Sequence, residues 1–313
     1  MFKYADYIYE VYKEKSFTSA AKKLFISQPA LSTTIRRAEE ELGFKVFERG
    51  TSPLSLTDAG KVYIASIEEM YKIERHLKNY VENIYSLNVG DISVSGAAFI
   101  SSFILPKIIM EYSKRYPGIK ILFIESNSLN LQEKLLSEEI EILIDYDFDE
   151  KVFETIPLKK EKILLAVPKA FEINDLFKEN QLTAEDVHQD RHLEADVQSV
   201  DLSRFKDEKF IQLKAGNNMQ KKGEKMCKQY GFVPQSIIKV DQLMTAYNIA
   251  ASGMGIAFTT DSVVKAVSDT ANLIFYKLEG KHSERILKIA YKKKAYVSPA
   301  VTAFVNVAKE IYN

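Results

Sequence analysis

The sequence predicts an α/β protein fronted by an all-α winged helix-turn-helix domain, with a long linker helix leading to two Rossmann-like α/β subdomains. Three observations predict it. Residues 16–60 carry two short helical segments, a tight turn, a polar-capped third helix and a small hairpin. From Thr57 an apolar stripe at helical spacing runs on to about Ser86. After Leu87 short apolar runs alternate with helical segments, the rhythm of an open, mostly parallel sheet.

The first helix follows from Tyr4, Ile8, Val11 and Tyr12, which line up as one buried stripe. Thr18 is placed to cap a second helix through Ala20, Ala21 and Leu24, and the two alanines permit close packing. Phe25-Ile26 makes the turn. Ser27 is set to cap the third helix, and Pro29 falls in its first turn, where a missing N–H costs nothing. Leu31, Ile35, Ala38 and Leu42 form its inner stripe, and Gly43 is the stop signal.

The opposite face of that helix is then outward. It presents Gln28, Ala30, Ser32, Thr33, Arg36 and Arg37. Glutamine reads adenine edges, Ala and Thr methyls contact thymine, and arginine reads guanine or grips phosphate. A solvated polar face is the ordinary explanation of such a stripe, but the 45-residue arrangement around it favours duplex DNA. From Lys22 to Arg37 there are four cations and no carboxylate, a modest basic face. Val46–Arg49 and Leu54–Leu56 read as two strands around a wing at 50–53, with Arg49 as its phosphate contact. The expected DNA-contacting set is therefore Ser27, Gln28, Pro29, Ala30, Ser32, Thr33, Arg36, Arg37 and Arg49.

Beyond Thr57, the residues Val62, Ile67, Met70, Ile73, Leu77, Tyr80, Val81 and Ile84 keep one stripe for about seven turns. A helix this long with no core of its own is expected to pair with a partner helix. The expected domains are 1–58 for DNA, 59–88 for the linker and 89–313 for the α/β half. The last divides into a first subdomain of about 89–162 plus 260–313 and a second of about 163–259.

In the α/β half, strands are expected at 92–95, 119–125 and 140–145, with helices at about 102–115 and 129–137. A second set runs through strands at 163–167, 210–213 and 236–240, helices at about 218–230 and 242–251, and a strand from Ile256. Chain crossings are expected near Leu158–Ala166 and Gly255–Thr260, and a last helix, 299–311, packs back on the first subdomain. Ligands bind such sheets at strand carboxyl ends, between the halves. That points to three loops, at 96–102, 126–128 and 214–219, each preceding a helix. The expected effector-binding residues are Ala97, Ala98, Ser101, Ser102, Ser128, Gly216, Asn217 and Asn218.

Composition excludes several classes. The chain has 313 residues, 43 cations against 43 carboxylates, and a mean hydropathy of -0.17. Cys227 stands alone, so an intramolecular disulfide and a cysteine-held zinc are both excluded, and a reducing cytoplasm is the expected compartment. No apolar run approaches the roughly 20 residues that span a bilayer, so no membrane partner is expected. His188 and His192 sit four apart among acids, but no third ligand is pinned by spacing, and a solvated surface segment is expected there. No phosphate-binding glycine loop, nucleophile elbow or metal motif supports an enzyme. The expected cofactors are none, and the alternatives to a ligand-responsive transcription factor are a DNA-architectural protein or an enzyme with an appended DNA-binding domain.

The motifs Ser16-Phe17-Thr18-x-Ala20-Ala21, Ser27-Gln28-Pro29-Ala30-Leu31-Ser32, Arg36-x-x-Glu39, Leu42-Gly43, Phe47-x-Arg49 and Leu56-Thr57-x-Ala59-Gly60 make the first domain resemble LysR-type transcriptional regulators. The later chain fits that family's effector domain in length and order, whose two subdomains resemble periplasmic binding proteins. The resemblance implies a homodimer that pairs into a homotetramer on promoter DNA, a small-molecule effector between the subdomains, and RNA polymerase as a candidate further partner. Two departures stand out. The family's wing often carries a second basic residue, where Pro53 and small polar residues stand here, which implies a weaker wing grip. Its first effector loop usually offers a Ser or Thr hydroxyl near the positions of Ala97 to Phe99, so this pocket is expected to be more apolar, for a small organic ligand that still carries a carboxylate.

Overall fold

The computed structural model describes residues 2–48, 54–84, 87, 89–125, 128–267 and 272–312. They divide into two compact units, Met1–Val81 and Glu82–Asn313. The first is built from α1 (Ala5–Glu14), α2 (Phe17–Lys23), α3 (Gln28–Leu42), β1 (Phe47–Glu48), β2 (Ser55–Leu56) and α4 (Asp58–Ile84). Ala5, Ile8 and Val11 of α1, Ala20 and Ala21 of α2, and Leu31, Ile35 and Ala38 of α3 are all buried in one core. The cap of α2 is Ser16 and not Thr18: Ser16 is extended, and its Oγ accepts from the Ser19 N–H at 3.3 Å, which starts the helix at Phe17. Ser27 caps α3 by accepting from the Ala30 N–H at 3.3 Å, and Gly43 closes it at φ +81°, a left-handed conformation that glycine adopts without penalty.

The wing is tied to α3 by a buried charge. The Glu39 carboxylate accepts from the Val46 N–H at 2.8 Å and the Phe47 N–H at 3.2 Å. Thr57 then bridges back, donating its hydroxyl to the Lys45 carbonyl at 2.6 Å while accepting from the Gly60 N–H at 2.8 Å. A Cβ on Gly60 would lie 2.1 Å from the Val46 carbonyl oxygen, so no larger residue fits at this approach. The start of α4 is part of this core, since Tyr63, Ile64 and Ile67 are buried in it. Tyr9 packs edge-on to Tyr71 at 5.3 Å, and the Tyr71 hydroxyl donates to Asp6. The expected boundary at residue 58 therefore does not separate two bodies: the linker helix has a core to pack on for its first turns, because it grows directly out of the wing.

The second unit carries β3 (Gly90–Gly96), a π-helical turn (Ile100–Ile104), α5 (Leu105–Arg115), β4 (Ile119–Glu125), α6 (Ser128–Leu136), β5 (Ile142–Asp145) and β6 (Phe153–Pro168). It continues with α7 (Ala184–His188), β7 (Lys209–Leu213), α8 (Asn218–Gln229), β8 (Gln235–Val240), α9 (Leu243–Ala251) and β9 (Ile256–Thr260). The last elements are α10 (Asp261–Ala266), β10 (Leu273–Lys277), β11 (Glu284–Lys292) and α11 (Pro299–Tyr312). The strands order as β4-β3-β5-β11-β6-β9-β7-β8, with β10 on β6. α11 lies on α5, where the Tyr112 hydroxyl donates to the Ala300 carbonyl at 3.0 Å.

The sheet is mixed where a mostly parallel one was expected. β3 pairs in parallel with β4 and β5, and β7 with β8 and β9, but β6 pairs antiparallel with β9, β10 and β11. β6 is 16 residues long and carries the chain from one subdomain to the other: residues 153–162 pair with β11 and 163–168 with β9 and β10. The return crossing lies between β10 and β11, not at Gly255–Thr260. β9 stays inside the second subdomain, held by β6 and β7, and β10 follows it there.

Asp186 to Ser203 is mostly exposed, as expected, but it buries Val187, His192, Val200 and Leu202. His192 is buried, its Nε2 3.4 Å from Asp261 Oδ2, while His188 is exposed, so the two imidazoles do not converge. No group of three metal-ligating side chains occurs among the described residues.

Glu39→Ala leaves two buried wing N–H groups without an acceptor, each worth about 1–3 kcal/mol. Thermal unfolding of the isolated first unit is expected to fall accordingly, with loss of DNA binding. An unchanged melting temperature would show that other contacts hold the wing.

Candidate nucleic-acid interface and effector cavity

The outward face of α3 is a solvent-facing surface built by its own cap. Gln28, Pro29, Ala30, Thr33, Arg36 and Arg37 are exposed, as is Ser27 at the cap, and Ser32 is half-buried. The Gln28 amide donates to the Ser32 hydroxyl at 2.9 Å, which orients it along the helix. The Thr33 hydroxyl turns back to the Pro29 carbonyl at 3.0 Å and leaves its methyl outward. The two arginines differ. Arg37 is drawn to Glu41 at 3.4 Å, and Glu41 also accepts from the Tyr4 hydroxyl at 2.8 Å. Arg36 has no ion-pair partner among the described residues. In α2, Lys23 pairs with Glu14 and Glu10, while Lys22 is exposed. Arg49 and the wing tip at 49–53 lie outside the described residues.

Phe25, read from the sequence only as part of the turn, is 94 % exposed at φ +55°. A bulky residue there strains the backbone by roughly 1–3 kcal/mol, beside the start of α3.

A cavity lies where strand carboxyl ends of both subdomains meet. It measures about 280 Å³. One wall is Gln132 of α6 with Asp145, the last residue of β5, and Asp147, Phe148 and Asp149, which follow it. The other is Gly216, Asn218 and Lys221, at the start of α8 after β7. Of the expected effector residues, Gly216 and Asn218 line this space. Asn217 sits beside them as the cap of α8, accepting from the Met219 N–H at 2.9 Å. The first loop does not line it. Ala97 and Ala98 precede the π-helical turn, Ser101 is buried with its hydroxyl donated to the Gly96 carbonyl at 2.7 Å, and Ser102 is exposed. Ser128 opens α6, one turn before Gln132. The acids were missed, yet their signal was present: Asp145-x-Asp147-x-Asp149 follows directly on an apolar strand, at the strand end where ligands bind.

Behind the acid wall is a buried charge centre. Arg285 Nε donates to Glu161 at 2.8 Å, its guanidinium lies 3.7 Å over the Tyr146 ring, and the Tyr146 hydroxyl donates to Glu161 at 3.3 Å. Burial opposes the Arg285 charge, but Tyr146, Glu161 and Asp145 together hold its pKa above the ordinary arginine value. Burial pushes the Tyr146 phenol well above its usual range.

Residues 2–61 match the bacterial regulatory helix-turn-helix protein model of the lysR family, and residues 86–312 match the LysR substrate binding domain. The chain belongs to the LysR family. It is a transcriptional regulator with a DNA-binding domain and an effector-binding domain. This LysR-type regulator is 26 % identical to the HTH-type transcriptional regulator YcgK of Bacillus subtilis, over 98 % of this chain and 94 % of that one. It is 22 % identical to the RuBisCO operon transcriptional regulator of Allochromatium vinosum, over 94 % and 90 %. Its fold is similar to that of full-length CbnR bound to its target DNA (TM-score 0.68, 18 % identity, 99 % of each chain). It is also similar to full-length BenM (TM-score 0.57, 22 % identity, 100 % and 96 %).

Two outcomes are expected. Arg36→Ala should weaken operator binding by about 1–3 kcal/mol and relax base preference, Gln28→Ala should relax preference, and Arg37→Ala should cost less than either. Fluorescence anisotropy on operator and random duplex checks the order, and a larger Arg37 effect would rotate the reading face. Separately, burial pushes the Cys227 thiol up to about 12. The native regulator should therefore react with a disulfide reagent at pH 8 only after unfolding, and prompt native labelling would show the thiol is open.

Proposed function

We infer that this regulator binds promoter DNA as a dimer of dimers and changes its grip when a small organic molecule enters the cavity between the α/β subdomains. The observation that carries the reading is the cavity itself, a cleft open to solvent and flanked by strand ends from both subdomains, in a chain whose α3 presents an exposed polar face. An effector touching both walls interacts better with one arrangement of the subdomains than with another, so it shifts their population. In a tetramer that shift changes half-site geometry and the bend imposed on DNA.

The oligomer is supported by apolar surface that the single chain leaves open. On α4, Ile73 and Leu77 are 63 % and 62 % exposed, and Tyr80 and Val81 extend the same stripe. At the two sheet edges, β4 exposes Leu122 and Phe123, and β8 exposes Ile237. Edge strands left apolar are pairing surfaces. No helix among the described residues is long and apolar enough to cross a membrane. A regulator with DNA as its target works in the cytoplasm, without a cofactor and without turnover of its effector.

The full-length protein should pull specific promoter fragments from its own genome, and a small-molecule extract of the same cells should alter its footprint on them. No preference for any promoter over random duplex would sink the reading, and a footprint indifferent to the extract would favour an architectural protein instead. Leu77→Glu should halve the solution mass set by the α4 pairing and lower operator affinity at least tenfold. An unchanged mass on light scattering would move the dimer contact off α4.

A further inference from the structure

The turn between α2 and α3 carries two costs at one residue. Leu24 and Ile26 face inward and pack on the core of the first unit. Phe25, between them, faces out and is more exposed than any other large apolar side chain among the described residues. Its backbone is left-handed, at φ +55°. The turn itself is built from main chain. The Leu24, Phe25 and Ile26 N–H groups donate to the carbonyls of Ala20, Lys22 and Ala21 at 2.9, 3.2 and 3.1 Å. None of these bonds needs the phenyl ring. Turns of this motif often carry glycine, which takes a positive φ without penalty. One exposed apolar side chain on regular backbone needs no explanation. Here exposure and backbone strain fall on the same residue, and an outlier of that kind points to function.

The position of the ring says what it meets. Phe25 lies two residues before Ser27, the cap of α3. In a helix-turn-helix the N-terminal end of the second helix meets base edges while the first helix crosses the backbone. The turn that joins them stands at the lip of the groove. Lys22, Ser27, Gln28, Pro29 and Ala30 around it are exposed. No carboxylate occurs from Lys22 to Arg37, so the surroundings admit a polyanion. The lip of a major groove offers apolar surface in its deoxyribose rings and thymine methyl groups, and phenylalanine is suited to the latter. We propose that Phe25 is a DNA-contacting residue whose ring packs on this sugar and methyl surface. This rests on α3 being the reading helix. An apolar contact releases no counterions, so the affinity it supplies is insensitive to salt, unlike that of Lys22 or Arg36.

The test uses the full-length protein and a genomic duplex that the wild type retains in a pull-down. Phe25→Asn keeps a residue that tolerates the left-handed turn. It should bind that duplex about tenfold more weakly by fluorescence anisotropy. Its melting temperature should equal or exceed that of the wild type, because the strain is relieved and no core contact is lost. The slope of log affinity against log salt should stay as in the wild type, whereas Lys22→Ala should reduce that slope by about 1. Phe25→Leu should recover most of the lost affinity. Unchanged affinity in Phe25→Asn would overturn the proposal. So would a lower melting temperature, an altered salt slope, or a Phe25→Leu variant as weak as Phe25→Asn. Failure of the reading helix is distinguishable: Gln28→Ala and Arg36→Ala would then be silent on the same duplex, and the proposal falls with it. If those two weaken binding and Phe25→Asn does not, the proposal alone fails.

Discussion

The buried Arg285–Glu161 pair is the constraint on which the α/β half depends. The two residues face each other in register on β11 and β6, the strands that carry the chain out of the first subdomain and back into it. The Glu161 side chain is fully buried and that of Arg285 nearly so. Taking both charges out of water offsets most of their attraction, so the pair adds little net stability, while removing one partner alone costs about 3–5 kcal/mol. What the pair supplies is position. It sets which residue of β11 meets which residue of β6 at the crossing, and the register shift next along β11, at Leu287/Lys288, lies only a few residues away. Tyr146, stacked on the guanidinium, places the next stretch of chain over the same point. Asp145 and Asp147, which flank Tyr146, thereby become a cavity wall.

The first unit uses the same device on a smaller scale. Glu39 lies on the inner side of α3, the reverse of the reading face, and its buried carboxylate holds the first wing strand by two backbone N–H groups. Thr57 and Gly60 lock the far end of the hairpin against Val46. One helix thus carries exposed polar groups on its outer side and a wing anchor on its inner side. In both units a buried acid fixes backbone that carries function on its exposed side.

Much of the site was legible because it is local. The cap at Ser27, the inner stripe of Leu31, Ile35 and Ala38, and the outward set from Gln28 to Arg37 lie within one helix, and helical spacing alone assigns their faces. The cap of α2 was misplaced by two residues because Ser16 and Thr18 are both good caps, and only the extended backbone at Ser16 decides between them. β11 escaped notice because Arg285 occupies an inward position in an otherwise alternating strand, and an inward charge reads as a break until its partner is known. The return crossing was misplaced because Ile256–Thr260 looks the same whether it closes a subdomain or leaves it. The first effector loop was expected at the cavity, but Ser101 spends its hydroxyl on the Gly96 carbonyl.

Spacing within a few turns of chain was enough for the helix-turn-helix, the exposed polar face of α3, the length of α4 and the alternation of strands and helices. Only long-range packing settled that β6 and β11 form the crossing and that Asp145, Asp147 and Lys221 share one space. Those facts depend on which strands pair across more than a hundred residues. Such pairing follows from the buried partners of Glu161 and Arg285, whose meeting no local pattern records.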